Sequence, residues 1–233
     1  VKEFLSARGV DHVSVDITQD DGALARLTAA GLRGVPAVSR GDRFIHAVGL
    51  DDVAEFIGQA YDARPVLSAA ELVRRYRTVL DTAVRLTAQI PTERLDDRIP
   101  GRDRTYLTLA NHTIQIAADC LSATEGLPLV GARAESIPDP PDPINRLEAR
   151  VDELGTRLEA WLAGTTADEL ERPITTFYGE KTLHQVLERA VWHSAQHTRQ
   201  LAAVVELVGL RPDRPLGDAD LADLPLPRQV WEG

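Results

Sequence analysis

LHQVLERAVWHSAQHTRQLAAVVELV, residues 183–208, is the stretch whose reading decides the fold. Leu183, Leu187, Ala190, His193, His197, Leu201, Val204 and Val208 recur in steps of three and four, the spacing of one face of a helix. The pattern predicts a long helix over about 182–208, with two histidines one turn apart on the face that also carries the leucines. A histidine on a solvated face is the ordinary case, but here the neighbours on the stripe are apolar. Burying polar rings without partners costs about 1–3 kcal/mol each. A shared metal ion would remove that cost.

Working outward, three more segments share the long-helix period. Residues 68–90 place Leu72, Tyr76, Val79, Ala83, Leu86 and Ile90 on one stripe. Residues 104–124 do so with Leu109, His112, Ile116 and Cys120. Residues 143–163 align Ile144, Leu147, Val151, Leu154, Leu158 and Trp161, a seam suited to a bundle. The Pro-rich SIPDPPDP (136–143) separates the second from the third. ITTFYGEKT (174–182) reads as an extended excursion turning at Gly179. Four amphipathic helices with a long middle connection predict a four-helix bundle with a crossover, over 68–210. The segment 211–233, rich in Pro and Asp, is too broken for a long helix. Its Leu221, Leu224, Leu226, Val230 and Trp231 predict a strap packed on the bundle.

Residues 1–59 have a different texture, that of a small α/β segment. VSVDI (13–17) reads as a strand and DDGALARLTAAG as a helix ending at Gly31. PAVSR and RFIHAV read as strands around the Gly41-Asp42 turn, and LDDVAEFIG as a helix. Residues 60–67 read as a linker. The whole chain is thus expected to be a two-part α+β protein, mainly α.

Composition narrows the function. The 233 residues carry a formal net charge of −10, with 27% charged and 43% hydrophobic residues. An acidic chain without a Lys/Arg cluster is no nucleic-acid binder. No apolar run approaches the roughly 20 residues of a membrane span. The opening VKEFLSARG does not read as a leader, and Cys120, alone, cannot form an internal disulfide; a cytoplasmic location is expected. No nucleophile elbow, phosphate loop or dinucleotide fingerprint is present.

His112 lies on the second helix stripe, so it and the His193/His197 pair supply three imidazoles from two helices. Three protein donors leave a coordination position open, which is the arrangement of a catalytic metal site. His184 falls on the opposite face of its helix, and His12 and His46 lie in the N-terminal part. Cys120 reads as a buried structural thiol, with a fourth metal ligand as the alternative. Asn111, Gln115, Asp119 and Gln196 are within helical reach as acceptors that would orient the rings. Tyr76, inward on its helix, is a candidate catalytic proton donor or substrate contact.

With His112, the HSAQH pair and the helix order in place, residues 66–233 resemble the DinB-like family of bacterial four-helix-bundle metalloproteins. The ending DLADLPLPRQVWEG is similar to that of some actinobacterial members. The resemblance implies a zinc or nickel ion and a low-molecular-weight thiol. Members include S-transferases that use mycothiol or bacillithiol and a mycothiol-dependent maleylpyruvate isomerase. It therefore implies a thiol and an electrophilic small molecule as partners, and together with the arginine-rich composition it makes mycothiol the favoured thiol; a homodimer is among the expected assemblies. Residues 1–59 resemble a glutaredoxin lacking its first strand and its Cys-x-x-Cys or Cys-x-x-Ser. GVPAV (34–38) is similar to the cis-proline loop, so Val35 and Pro36 are implied thiol contacts. VGLDDV (48–53) is similar to the helix start that receives a glutathione carboxylate, implicating Asp51 and Asp52. A missing central strand would leave 13–17 with an edge needing a partner, so this part reads as a docking platform. The alternatives to an enzyme are a metal- or thiol-binding module without turnover, and a redox protein whose glutaredoxin part is completed upstream of Val1.

Overall fold

The computed structural model describes residues 1–17, 20–32, 35–60, 66–129 and 142–231. The expected linker at 60–67 and the SIPDPPDP separator fall mostly outside these residues. The chain is mainly helical, with two small two-stranded sheets. It divides into two compact units, Val1–Arg64 with Phe177–Gly179, and Pro65–Thr176 with Glu180–Gly233. Among the described residues, no helix is long and apolar enough to cross a membrane.

The first unit contains α1 (Lys2–Ala7), α2 (Asp21–Ala29), β1 (Ala37–Arg40), β2 (Arg43–His46) and α3 (Leu50–Ile57). The strands form an antiparallel hairpin around Gly41-Asp42, with Val38 opposite Ile45 and Ser39 opposite Phe44. Phe4, Leu5, Ala47, Val53 and Ala54 make its small core. VSVDI departs from expectation: residues 11–16 have no regular structure and Val13 is 88% exposed. β-Branched residues favour a strand only where a neighbouring strand offers an edge, and among the described residues the hairpin pairs only with itself. The Val35–Pro36 bond is cis, but the described residues build no larger sheet around it. The glutaredoxin-like reading of residues 1–59 is therefore not supported, and the edge partner expected for 13–17 is not found among the described residues.

The second unit is built on α4 (Ala69–Ala88), α5 (Tyr106–Thr124), α6 (Pro143–Gly164) and α8 (Leu183–Leu207). Between the last two lie a short α7 (Ala167–Leu170) and the strands β3 (Pro173–Thr176) and β4 (Gly179–Thr182). A one-turn α9 (Asp218–Leu221) follows α8. Each long helix starts on a side-chain cap that accepts a backbone N–H: Ser68 for α4, Thr105 for α5, Asp142 ahead of Pro143 for α6, and Thr182 for α8. Such caps satisfy donors that a helix start leaves orphaned. Thr182 and Gln185 close a reciprocal capping box. Past its end, α8 stops at Gly209, whose φ of +83° is open to glycine at little cost.

The predicted stripes face one core, in which Leu72, Tyr76, Val79, Leu86, Leu109, Leu147, Leu158, Leu187 and Leu201 are buried. α6 approaches α4 closely at Gly155, where a Cβ would press into the Arg77 side chain. α8 is buried more widely than one stripe: Ser194, Gln196, Thr198 and Gln200 are buried as well. Ser194 and Thr198 meet the Thr113 and Val79 carbonyls of α5 and α4, while Gln196 and Gln200 meet the tail. Leu224 is buried, and Leu216, Leu221, Leu226 and Trp231 pack on the same core, so α8 is covered on a second face.

Leu187 sits at 0% exposure in the middle of α8. Leu187→Ala is expected to lower the unfolding free energy by about 2–5 kcal/mol. The urea midpoint should fall with an unchanged slope, and a loss under about 1 kcal/mol would place Leu187 outside the shared core.

Candidate metal centre

Successive turns of α8 carry His193 and His197, and α5 packs beside α8 with His112 facing them. The ring centroids are 4.7 Å apart for His193–His197, 5.0 Å for His112–His197 and 5.7 Å for His112–His193. One nitrogen from each ring lies within 4.8 Å of the others, the only His/Cys/Asp/Glu cluster of this kind among the described residues. The three rings expected from spacing are brought together.

Their electrostatic state follows from burial. Desolvation pulls His112 down to about 4 and His197 to about 3, and it holds His193 well below the usual imidazole range. The charged side chains that reinforce this are arginines: Arg104 acts on all three rings, Arg189 on His112 and His193, and Arg102 on His197. Arg189 lies one turn before His193, its guanidinium 5.9 Å from the Trp192 ring. Arg102 lies 5.7 Å over the Trp231 ring. At neutral pH the site is three uncharged nitrogen bases in a cationic surround.

The donor set fits a divalent cation. Zinc–imidazole bonds of about 2.0–2.1 Å put two tetrahedral donors roughly 3.3–3.4 Å apart, and Nε2 of His193 and Nε2 of His197 are 3.1 Å apart. His197 Nδ1 is 2.8 Å from Gln200 Oε1. With Oε1 as acceptor, Nδ1 carries the hydrogen and the Nε2 lone pair points at His193. His193 Nδ1 is buried without a hydrogen-bond partner among the described residues. With its Nδ1 bare, His193 carries its hydrogen on Nε2 and donates it to His197 Nε2, and a shared cation would take that hydrogen's place between the two facing nitrogens.

The other expected site residues sort differently. Tyr76 is fully buried and its hydroxyl is 3.2 Å from Ser194 Oγ, which donates to the Thr113 carbonyl at 3.0 Å. Ser194 has one proton, already given to Thr113, so Tyr76 donates to Ser194. Burial also pushes the Tyr76 phenol well above its ordinary range. Tyr76 is thus a tether from α4 to α8, at residues adjacent to His193 and His112. Asn111 and Gln115 accept from Arg150 of α6, and Gln115 donates to Asp119, a network joining α5 to α6. Gln196 donates to tail carbonyls. Gln200, the acceptor on His197, was not among the expected residues, although a glutamine three positions beyond a histidine shares its helix face. Arg102, Arg104 and Arg189 were missed too.

Cys120 is a buried thiol pushed up to about 12 by desolvation and by Asp119, which suits a structural role. His184 meets the Leu67 carbonyl at 3.0 Å, away from the cluster's face as expected, and His12 lies 3.0 Å from the Val10 carbonyl. Val35 and Pro36 are exposed in the first unit, where the Pro36 carbonyl accepts from Ala47 N. Asp51 and Asp52 occupy the first turn of α3, and a Cβ on Gly49 would run into both carboxylates. Two carboxylates folded back over a helix start repel the incoming carboxylate they were expected to help receive. The thiol-contact reading of Val35, Pro36, Asp51 and Asp52 rested on the glutaredoxin-like fold, which is not supported.

Residues 121–201 match the sequence model of the DinB superfamily. That stretch is DinB-like and includes His193 and His197, but it begins after His112. No curated protein matches the chain.

Stability should depend on pH through the rings. Above about pH 6.5 an imidazole is neutral in both folded and unfolded chains. Below it, the unfolded chain takes up protons that the partly buried rings refuse, so stability is lost as pH falls toward about 4 for His112 and about 3 for His197. Each ring contributes up to about 1.4 kcal/mol per pH unit. In chelator-treated protein the urea midpoint should drop from pH 7 to 4.5, and replacing the three histidines should flatten that slope. An unchanged slope would exclude them as its source. Tyr76→Phe, which removes one buried hydroxyl, should cost about 0.5–1.5 kcal/mol by the same denaturation assay.

Proposed function

We propose that the second unit is a DinB-type four-helix bundle acting as a metal-dependent thiol S-transferase or thiol-dependent isomerase. The observation that carries this reading is the convergence of three neutral, partly buried imidazoles with arginines as the charged groups around them. His112, His193 and His197 would hold a zinc or nickel ion, and imidazole suits either. A divalent cation bound there would strip the proton from a coordinated thiol, which when free has a pKa of about 8.5 and is mostly protonated at neutral pH.

The chain's own residues do the rest. Because their pKa values are depressed, the three rings stay unprotonated and ligand-competent well below neutral pH. Neutral donors cancel none of a cation's charge, and Arg102, Arg104 and Arg189 add to it. An anionic sulfur is therefore favoured over neutral water beside the rings. Gln200 keeps His197 Nε2 free of a proton, and the Tyr76–Ser194–Thr113 chain ties the two histidine-bearing helices together.

Held this way, a thiolate can form a carbon–sulfur bond as a leaving group departs, giving an S-conjugate. It can instead add to a conjugated double bond and leave after rotation, giving an isomer. Mycothiol is favoured as the thiol because the bundle is DinB-like in 121–201. Small electrophiles are the implied second substrate.

The test is elemental analysis of the purified chain, followed by single-turnover conjugation of monobromobimane with mycothiol, bacillithiol and glutathione in turn. Stoichiometric zinc or nickel, metal-dependent conjugation fastest with mycothiol, and its loss in His193→Ala are the expected results. Metal uptake without conjugation by any thiol would leave a binding module, and failure to take up either metal would overturn the site itself.

A further inference from the structure

We infer that the C-terminal strap Pro227–Trp231 is a working part of the histidine site, setting the tautomer of His197 through the positioning residue Gln200. The inference rests on the metal reading above only for its consequence, since the tautomer itself can be measured without metal.

The strap is held by its backbone carbonyls. Arg199 donates to Pro227 O at 2.7 Å and to Arg228 O at 2.9 Å. Gln196 Nε2 donates to Val230 O at 2.7 Å, and Gln200 Nε2 donates to the same oxygen at 3.1 Å. Gln196 Oε1 accepts in turn from Arg199 at 2.8 Å. These three residues share one face of α8, at spacings of three and four. Gln196 and Gln200 are buried there, so the strap supplies the acceptors that two buried amides require.

The geometry has a directional consequence. A glutamine amide can present either end to an imidazole, and each end selects a different tautomer. A backbone carbonyl only accepts. Val230 O therefore fixes the NH2 end of Gln200 toward the strap, and Oε1 is left for the ring, 2.8 Å from His197 Nδ1. An amide oxygen only accepts, so Nδ1 holds the hydrogen and Nε2 is left as a base, 3.1 Å from His193 Nε2. Were the strap absent, Gln200 could turn its NH2 to Nδ1. The proton would then sit on Nε2, where it blocks the nitrogen that faces the other rings. The signal thus passes from Val230 O to Gln200, to His197, to the site.

The experiment uses full-length variants. Gln196→Ala/Arg199→Ala loosens the strap without altering Gln200, Gln200→Ala removes the acceptor, and Gln200→Glu keeps an acceptor-only group while abolishing the donation to Val230. Long-range 15N–1H correlation spectra of the metal-free proteins report the tautomer of His197, and competition with a chromogenic chelator reports zinc affinity. The wild-type chain should show His197 protonated on Nδ1. The loosened-strap variant and Gln200→Ala should populate the Nε2–H form and bind zinc about 10-fold or more weakly, the scale on which partners of metal-bound histidines act. Gln200→Glu should keep the Nδ1–H form, and adding it to the loosened strap should restore that form, a non-additivity expected of residues acting in series. A loosened-strap variant, folded by circular dichroism, that retains the wild-type tautomer and affinity would overturn the inference. If that pair does not fold, Arg199→Ala alone decides by the same two readouts. A wild-type chain that takes up no zinc would instead overturn the metal reading, while the spectra still decide what the strap does.

Discussion

Desolvation of three imidazoles in one place is the constraint around which the second unit is arranged. An isolated buried ring can be satisfied by any carbonyl, but three rings within a few ångströms cannot all point their nitrogens at backbone. α8 meets this by burying a polar face as well as an apolar one, with Ser194, Thr198, Gln196 and Gln200 interleaved among leucines and valines. Each has a named partner: Thr113, the α8 backbone, or the strap. The helix that carries two of the three histidines thus also carries hydrogen-bonded side chains in the core, which hold the rings to a defined orientation.

Much of this unit was legible from sequence because it depends on period. The stripes over 68–90, 104–124, 143–163 and 182–208 correspond to helices whose ends lie within two residues of those bounds, and Ser68, Thr105, Asp142 and Thr182 stand where caps belong. The histidine triad was legible for the same reason, since position on a stripe is position in the core. What escaped was chemistry between segments. Arg102 and Arg104 come from a loop whose path no period describes. Gln200 was passed over because its meaning depends on a carbonyl thirty residues away, and carbonyls leave no mark in a sequence. Tyr76 was read as a donor because its inward direction was correct, but direction alone does not say whether a hydroxyl meets substrate or serine.

The N-terminal unit shows the opposite failure. GVPAV and VGLDDV were each locally persuasive, and the Val35–Pro36 bond is indeed cis. A short motif acquires its role from the sheet around it, and here a single hairpin stands where a larger sheet was expected. VSVDI, with every local preference of a strand, stays unpaired because pairing is a property of two segments. Gly49 makes the same point at atomic scale: the acidic pair beside it folds back onto its own helix start.

The histidine ligands come from helices far apart in the chain, α5 and α8, with α6 between them in sequence. No local fragment contains the complete donor set, so the site exists only once α5 has docked on α8. Any ion that prefers three donors to two is then linked to folding itself. Ligand occupancy at about 100 times its dissociation constant adds roughly 2.7 kcal/mol to the folded state and nothing to a chain in which the helices are apart. Metal supply would in this way govern how long the folded protein survives.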